Sequence, residues 1–406
     1  MSALGKAPRV NGEGAGRVVR ALELARERAD LGAFWALDEA AAGSVRTRHG
    51  PLAGVPVAVK DMYDQRGLPT TAGLAGPVRA ASADAELVAR VRRAGAVPIG
   101  KTAMDQLGCT TGGQAPGFPP CVNPIDAKLS PGGSSSGSAV AVAAGIVPLA
   151  LGTDTAGSTR IPAAYCGIVG LKPWRRALPR RGVTRVMPAF DAPGLLAESV
   201  ELITAAYEAL TGRAVARPRG RLRLAVLTDM LERAEPPVAA AAEKALERLA
   251  EAGASIHRVE LRWEPRGFGQ ALAFEFAQTW GRRVEREPEA FTEVIRDTVE
   301  FGRGIEESRY REVIAGFGAA RVRLRRRFGD YDALVLPTAP IPAPAREDEN
   351  VAVSTSFTRL FNALDWPALS VPIEADGVAP IGLQFAAPPS RLGGVLAAGA
   401  ALEAAA

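Results

Sequence analysis

Between Ala139 and Leu151 the chain reads Ala-Val-Ala-Val-Ala-Ala-Gly-Ile-Val-Pro-Leu-Ala-Leu, with no side chain able to form a hydrogen bond. Such a run has to be buried. Its small residues suit a closely packed helix over 138–145, and the branched residues after Gly145 suit a strand over 147–151. Each end carries a loop rich in hydroxyls. Before the run stands Gly132-Gly-Ser-Ser-Ser-Gly-Ser138, with Ser134 at its centre; after it stands Thr153-Asp-Thr-Ala-Gly-Ser-Thr-Arg160, with Ser158. Two adaptable loops pinned to one buried segment make a site rather than a linker.

The rest of the chain supplies the frame for that segment. Residues 55–59 form a buried strand bounded by Gly54 and Asp61. Asp84 reads as the N-cap of a helix carrying Leu87, Val88 and Val91 on one face and ending near Gly95, and 96–100 reads as a further strand. Strands are expected at 222–228, 255–261, 332–336, 368–373 and 380–385, a strong amphipathic helix at 236–253, and mainly helix across 263–330. This alternation implies an α/β layer fold, with helices covering a parallel or mixed sheet. With 406 residues and no polar linker or repeat, one domain spanning 1–406 is the simpler organisation, with 200–330 as a peripheral, mostly helical layer.

Composition removes several classes of function. An apolar share of 47% beside 23% charged residues is ordinary globular usage. No uncharged apolar run reaches the roughly 18 residues of a spanning helix, and residues 1–20 lack the apolar stretch of a leader peptide, so a soluble cytoplasmic protein is expected. Cys109, Cys121 and Cys166 show no CxxC spacing, against a disulfide framework or zinc site, and no metal or cofactor is called for. The net charge of +5 and the arginines of 321–327 raise nucleic acid as a partner. Their alternation with Val322, Leu324 and Phe328 instead suits the wet face of an amphipathic helix.

The chemistry narrows further on histidine. His49 lies in a polar turn and His257 in an alternating strand; neither adjoins a serine motif, and G-x-S-x-G is missing around Ser158. A lysine replaces histidine as a base when burial makes its charged form costly. Lys60 closes the run Val55-Pro-Val-Ala-Val-Lys60 and has that setting; the plainer alternative is that it reaches water at the strand end, beside Asp61 or Asp64. The glycines before Ser134 and Ser158 let main-chain N–H groups approach a developing oxyanion. Gly137-Ser138 lacks the lysine of a phosphate-binding Walker loop.

These stretches together resemble the amidase signature family of serine amidohydrolases. The resemblance rests on Pro131–Gly145 and Gly152–Pro173, on Gly54–Asp61 and Gly100–Thr102 upstream, and on Tyr331–Pro340, Pro367–Pro372 and Pro380–Gln384 near the C-terminus. It implies a large mixed β-sheet covered on both faces by α-helices. It also implies a triad of Ser158 as nucleophile, Ser134 as bridging serine after a cis peptide bond, and Lys60 as base, with an oxyanion hole from the N–H groups of Thr155, Ala156, Gly157 and Ser158. Three positions depart from the family's usual pattern. Ala156 stands where a glycine is common, Thr159 where an aliphatic residue is usual, and Ala103 where asparagine is frequent.

The activity so implied is cleavage of the C–N bond of a small, linear carboxamide. A glutaminase-type or acyl-transferring role, or a silent binding protein of the same fold, are the alternatives. Met104, Asp105, Gln106, 108–112, Asp365 and Trp366 are the candidate substrate contacts; Arg296, Arg303 and Arg309 are read as solvated surface. The expected partner is the amide itself, with no nucleic acid and no membrane, and a homodimer is left open.

Overall fold

The computed structural model describes residues 13–405 apart from 48, 77, 375, 376 and 378, so most of the N-terminal stretch read above lies outside the described residues. Its strands are β1 (Phe34–Leu37), β2 (Pro56–Lys60), β3 (Val97–Thr102), β4 (Leu149–Asp154), β5 (Val169–Lys172), β6 (Ala192–Ala197), β7 (Arg223–Leu227), β8 (Ser255–Val259), β9 (Ala333–Pro337), β10 (Ala368–Ile373) and β11 (Ile381–Ala386). They join in one mixed sheet ordered β1-β3-β2-β4-β6-β5-β10-β11-β9-β7-β8. Parallel pairing is confined to β3-β2-β4 and β9-β7-β8; every pair between those groups is antiparallel.

Side-chain alternation sorts the two faces of the sheet. Val57, Val59, Leu149 and Leu151 point into a core closed by the helices Glu86–Arg93, Val200–Thr211, Pro236–Glu251 and Leu392–Ala404. Ala58 and Ala150 point the other way, into a core shared with the helices Ser136–Ala143 and Glu13–Glu27. Because these sheet residues are small, the helix Ser136–Ala143 lies close against the strands. Apart from Ala143–Gly145 and Pro148, the run 139–151 is buried. Among the described residues, no helix is long and apolar enough to cross a membrane.

Several local expectations need correction. The helix expected after Asp84 starts at Glu86 with Ala85 as its cap, and the Asp84 carboxylate accepts instead from the Arg66 N–H (2.8 Å) and Arg92 Nε (3.0 Å). Most residues of the segment 200–330 are helical, and its two strands lie at one end of the sheet. Its strands β7 and β8 extend the main sheet; beyond them the chain is helical through Phe268–Arg286, Glu293–Arg303 and Glu307–Phe328. In the last of these Leu324 and Phe328 are buried while Val322 is 56% exposed, so the apolar face is narrower than the sequence implied.

The carboxyl ends of the neighbouring parallel strands β2 and β4 lie together, since Val57 pairs with Leu149 and Val59 with Leu151. Ligands in α/β sheets bind outside such ends. Lys60 is the last residue of β2, and the Ser158 loop leaves the end of β4.

Candidate active site

Lys60 is fully buried, and its Nζ lies 2.8 Å from Ser134 Oγ, 2.8 Å from Thr153 Oγ1 and 3.1 Å from Ser135 Oγ. All three neighbours are neutral hydroxyls, and among the described residues no carboxylate forms an ion pair with it. Burial therefore lowers its pKa to about 7, against the opposing pull of the Asp105, Asp154 and Asp191 charges. The next strand supplies a contrast. Lys101 is equally buried but sits 2.6 Å from Asp61, an ion pair that spends its charge on structure.

The Ser134 loop is held from below. The peptide bond Gly133–Ser134 is cis. Asp105, on the loop after β3, accepts from Thr110 Oγ1 (2.7 Å), the Gln114 N–H (3.2 Å) and Ser136 Oγ (3.2 Å), tying the 109–114 segment to the first turn of the helix Ser136–Ala143. Burial pushes the Asp105 carboxyl up, with these bonds opposing. Gly108 comes close as well: a methyl group there would sit 3.0 Å from Ser134 Oγ, on a backbone with φ of +71°. Gly108→Ala is accordingly expected to displace the Ser134 hydroxyl and lower kcat by up to about 100-fold, checked by steady-state kinetics on folded protein.

The Ser158 loop is stapled at both ends by a buried ion pair. Arg160 reaches Asp154 through Nε–Oδ2 (2.9 Å) and Nη2–Oδ1 (2.8 Å), and its other donors reach Thr358 O (2.9 Å), Gln384 Oε1 (2.6 Å) and Asn362 Oδ1 (2.6 Å). Burial alone would push the Asp154 carboxyl up. The Arg160 charge and hydrogen bonds, with Lys172 and Asn362, outweigh it and hold Asp154 at about 2.

The carbonyls of residues 156–158 are taken. Ala156 O accepts from Thr358 Oγ1 (2.5 Å), Gly157 O from the Ile161 N–H (2.8 Å) and Ser158 O from the Ser135 N–H (3.1 Å). Among the described residues, no protein acceptor takes the N–H groups of Ala156, Gly157 and Ser158. The loop thus keeps three main-chain donors unspent. Positive φ falls on Gly157 (+141°) and not on Ala156, so the alanine needs no unusual backbone. Thr159 is fully buried against Gly152 and Gly194 and does not line the cavity beside Ser158. Ala103 is buried and acts through its backbone, which accepts from the Gly137 N–H.

That cavity, of about 480 Å³, is lined by Ser158 with Thr155 and Ala156, by Gly108–Thr111, by Met187, Val351 and Thr355, and by two helices. Gly269, Leu272 and Ala273 come from Phe268–Arg286; Val294, Asp297, Thr298 and Phe301 come from Glu293–Arg303. Cys109 also lines it, but burial pushes its thiol up, so it stays protonated and is no rival nucleophile. A larger cleft of about 760 Å³ around Trp263 and Arg262 carries no hydroxyl, thiol or amine among its lining residues. The structure thus gathers Lys60 and Ser134 at hydrogen-bond distance and sets Ser158 on the cavity wall. Ser158 Oγ makes no hydrogen bond to Ser134 Oγ here; the two loops are joined through the main chain, Ser135 to Ser158.

Five of the expected substrate contacts do not line this cavity. Met104 is packed in the core beside Leu107, and Asp105 clamps the loops. Gln106 braces the approach to the helix Glu293–Arg303, with Nε2 donating to Ala290 O and Oε1 accepting from the Thr292 N–H, both at 2.9 Å. Asp365 accepts from the Arg175 N–H (2.8 Å), and Trp366 is buried beside Phe357 and Phe361. His49 and His257 line neither the cavity nor its rim; His257 Nε2 lies 3.0 Å from Ser255 Oγ on β8. Arg296 and Arg303 bind main-chain carbonyls, and Arg309 pairs with Glu312.

A family model described as Amidase matches residues 23–391, nearly the whole chain. The chain belongs to the amidase signature family. Its relatives include a glutamyl-tRNA(Gln) amidotransferase subunit of Thermus thermophilus, 35% identical over 88% of this chain and 86% of the relative. The 2-amino-5-chloromuconic acid deaminase of Comamonas testosteroni is 34% identical over 84% and 79%. A solved structure described as an amidase superposes with a TM-score of 0.90 at 32% identity, covering 96% of each chain. Amidase signature enzymes act on small amides, and the general reaction is hydrolysis of a C–N bond. Within this family site, sequence reasoning passed over Thr153 and Ser135 as acceptors of Lys60, and the two helices walling the cavity. A signal for the second was present: Val294 and Phe301 are apolar yet lie off the buried stripe of Ile295 and Val299.

Proposed function

We propose that this protein hydrolyses a small, linear carboxamide through an acyl-enzyme on Ser158, with Lys60 as base acting through Ser134. One observation carries the reading: a fully buried amine with no counter-ion, hydrogen-bonded to Ser134, beside a loop whose N–H groups are unspent. Neutral Lys60 takes the Ser134 proton while Ser134 takes that of Ser158. Ser158 Oγ bonds to the amide carbon, and the oxygen that becomes negative is met by N–H groups of Thr155–Ser158. The C–N bond breaks, the proton returns through Ser134 to the leaving nitrogen, and ammonia or an amine departs. Water then adds to the ester, giving its proton to the same relay, and the carboxylic acid leaves.

The reactive form is the unprotonated amine, which fixes the sign of the pH dependence. Below pH 7 Lys60 carries its proton and the relay is blocked. With its pKa at about 7, kcat/KM is expected to rise close to tenfold per pH unit at the acid end and to level above about pH 8. A flat profile from pH 6 to 9, with chemistry rate-limiting, contradicts a lysine base. Incubation with a fluorophosphonate should label Ser158; a failure to label supports the silent binding protein instead.

A second reading, a glutaminase component within an amidotransferase, is favoured by the 35% identity to the Thermus thermophilus amidotransferase protein. Purification of the native protein under mild conditions separates the two. A stoichiometric second polypeptide supports the amidotransferase, and a protein that purifies alone or as a homodimer supports the stand-alone amidase.

A further inference from the structure

We infer that the Ser158 cavity selects amides whose acyl part is a hydrocarbon chain ending in a cationic amino group, with Asp297 as the counter-ion. The inference rests on the proposed role of Ser158 and names the substrate class of that same site.

The helix Glu293–Arg303 has two working faces. Ile295, Val299 and Gly302 are buried against Phe268–Arg286, so closely that a methyl group on Gly302 would meet Ala273 O at 2.0 Å. Val294, Asp297, Thr298 and Phe301, at the i, i+3, i+4, i+7 spacing of a second face, line the cavity. Val294 is 49% exposed and Phe301 57%. Two large apolar side chains standing half in water on the wall of the cavity that holds Ser158 gain if a hydrocarbon chain covers them. Leu272, Ala273 and Met187 continue that apolar wall.

Charge gives the wall its direction. Among the described lining residues Asp297 is the one charged group, and it has no hydrogen bond or ion pair to the protein. The arginines of the same helix are committed elsewhere: Arg296 to Phe291 O (2.5 Å), Arg303 to Gly281 O (3.1 Å) and Glu285. A ligand bearing a carboxylate therefore meets repulsion, and one bearing an ammonium meets a partner. The covalent chemistry is unchanged; only the choice of acyl chain is set here.

Two measurements test this. In the first, hexylammonium and hexanoate are titrated into Ser158→Ala protein at low salt, which reads the cavity without turnover. Hexylammonium is expected to bind at least about fivefold more tightly, with the difference shrinking in 0.5 M salt and vanishing when Asp297→Asn is added. Equal binding, or a preference for hexanoate, overturns the inference. In the second, hexanamide, 6-aminohexanamide and the monoamide of adipic acid are compared as substrates. The cationic amide should lead in kcat/KM and the anionic one trail, with their ratio falling about fivefold in Asp297→Asn. A ratio untouched by Asp297→Asn overturns the inference even if all three amides are cleaved. Failure to cleave any of them, with Ser158 unlabelled by fluorophosphonate, removes the catalytic reading, and the ammonium preference of the first measurement is then judged alone.

Discussion

Ser158→Ala is expected to lower amide turnover by about 10⁶-fold, the scale on which serine hydrolases lose kcat with their nucleophile. The fold has little to lose from the change. Ser158 Oγ makes no hydrogen bond among the described residues, and the loop is held by its carbonyls and by Arg160. Stability should therefore stay within about 0.5 kcal/mol of the parent, and the loss is one of chemistry. Lys60→Met gives the companion result. It keeps an unbranched stem one heavy atom shorter but leaves the relay no base, and a fall of about 10²–10⁴-fold is expected. The two variants separate in a fluorophosphonate assay: Ser158→Ala takes no label, while Lys60→Met labels slowly and without the rise through pH 7. Wild-type kcat retained in either purified, folded variant ends the assignment of nucleophile or base.

The centre of this site was legible because its chemistry is written locally. A lysine closing an apolar strand, glycines before two serines and a buried run between them can be seen without any tertiary knowledge. The structure moved the boundaries but kept the elements, as where the helix expected at 138–145 begins at Ser136. That first turn reads as loop because of its serines, whose hydroxyls are taken up by Asp105, Thr102 and Leu151 O. The strand Ala192–Ala197 was missed for a different reason. Ala-Pro-Gly-Leu-Leu-Ala has poor strand propensity, and its conformation is imposed by β4 and β5 on either side. The cavity walls were hidden because they come from helices more than a hundred residues downstream, whose second faces carry no motif. Asp365 and Trp366 drew attention by lying next to a motif proline, but adjacency in sequence placed one in an ion pair and the other in the core. Alanine fits at 156, where a glycine is common, because the positive φ of this loop falls on Gly157.

Arg160→Met is expected to destabilise the protein by about 3–5 kcal/mol at pH 7 and to lower turnover with it. The guanidinium spends every donor in the interior, two on Asp154 and three on Thr358 O, Gln384 Oε1 and Asn362 Oδ1. Removing it leaves Asp154 buried, charged and answered only by the Asn362 side chain, the Thr159 N–H and the more distant Lys172 charge. Arg160→Lys keeps the charge without the planar fork and should recover part of the loss. The double variant Asp154→Leu/Arg160→Met removes both charges and should be less unstable than the sum of the single changes, because neither partner is then stranded. The pH dependence separates an ion pair from mere packing. Asp154 is held at about 2, below its ordinary 3.8, so its contribution is full above about pH 4 and is lost as pH falls through 2. In Arg160→Met burial is no longer offset, the carboxyl takes up its proton at higher pH, and the stability gap to the parent narrows on acidification. Urea midpoints at pH 7 and pH 4 read both effects. A loss under about 1 kcal/mol at pH 7, or a gap that widens toward pH 4, would show that the loop bearing Ser158 is held by something other than this pair.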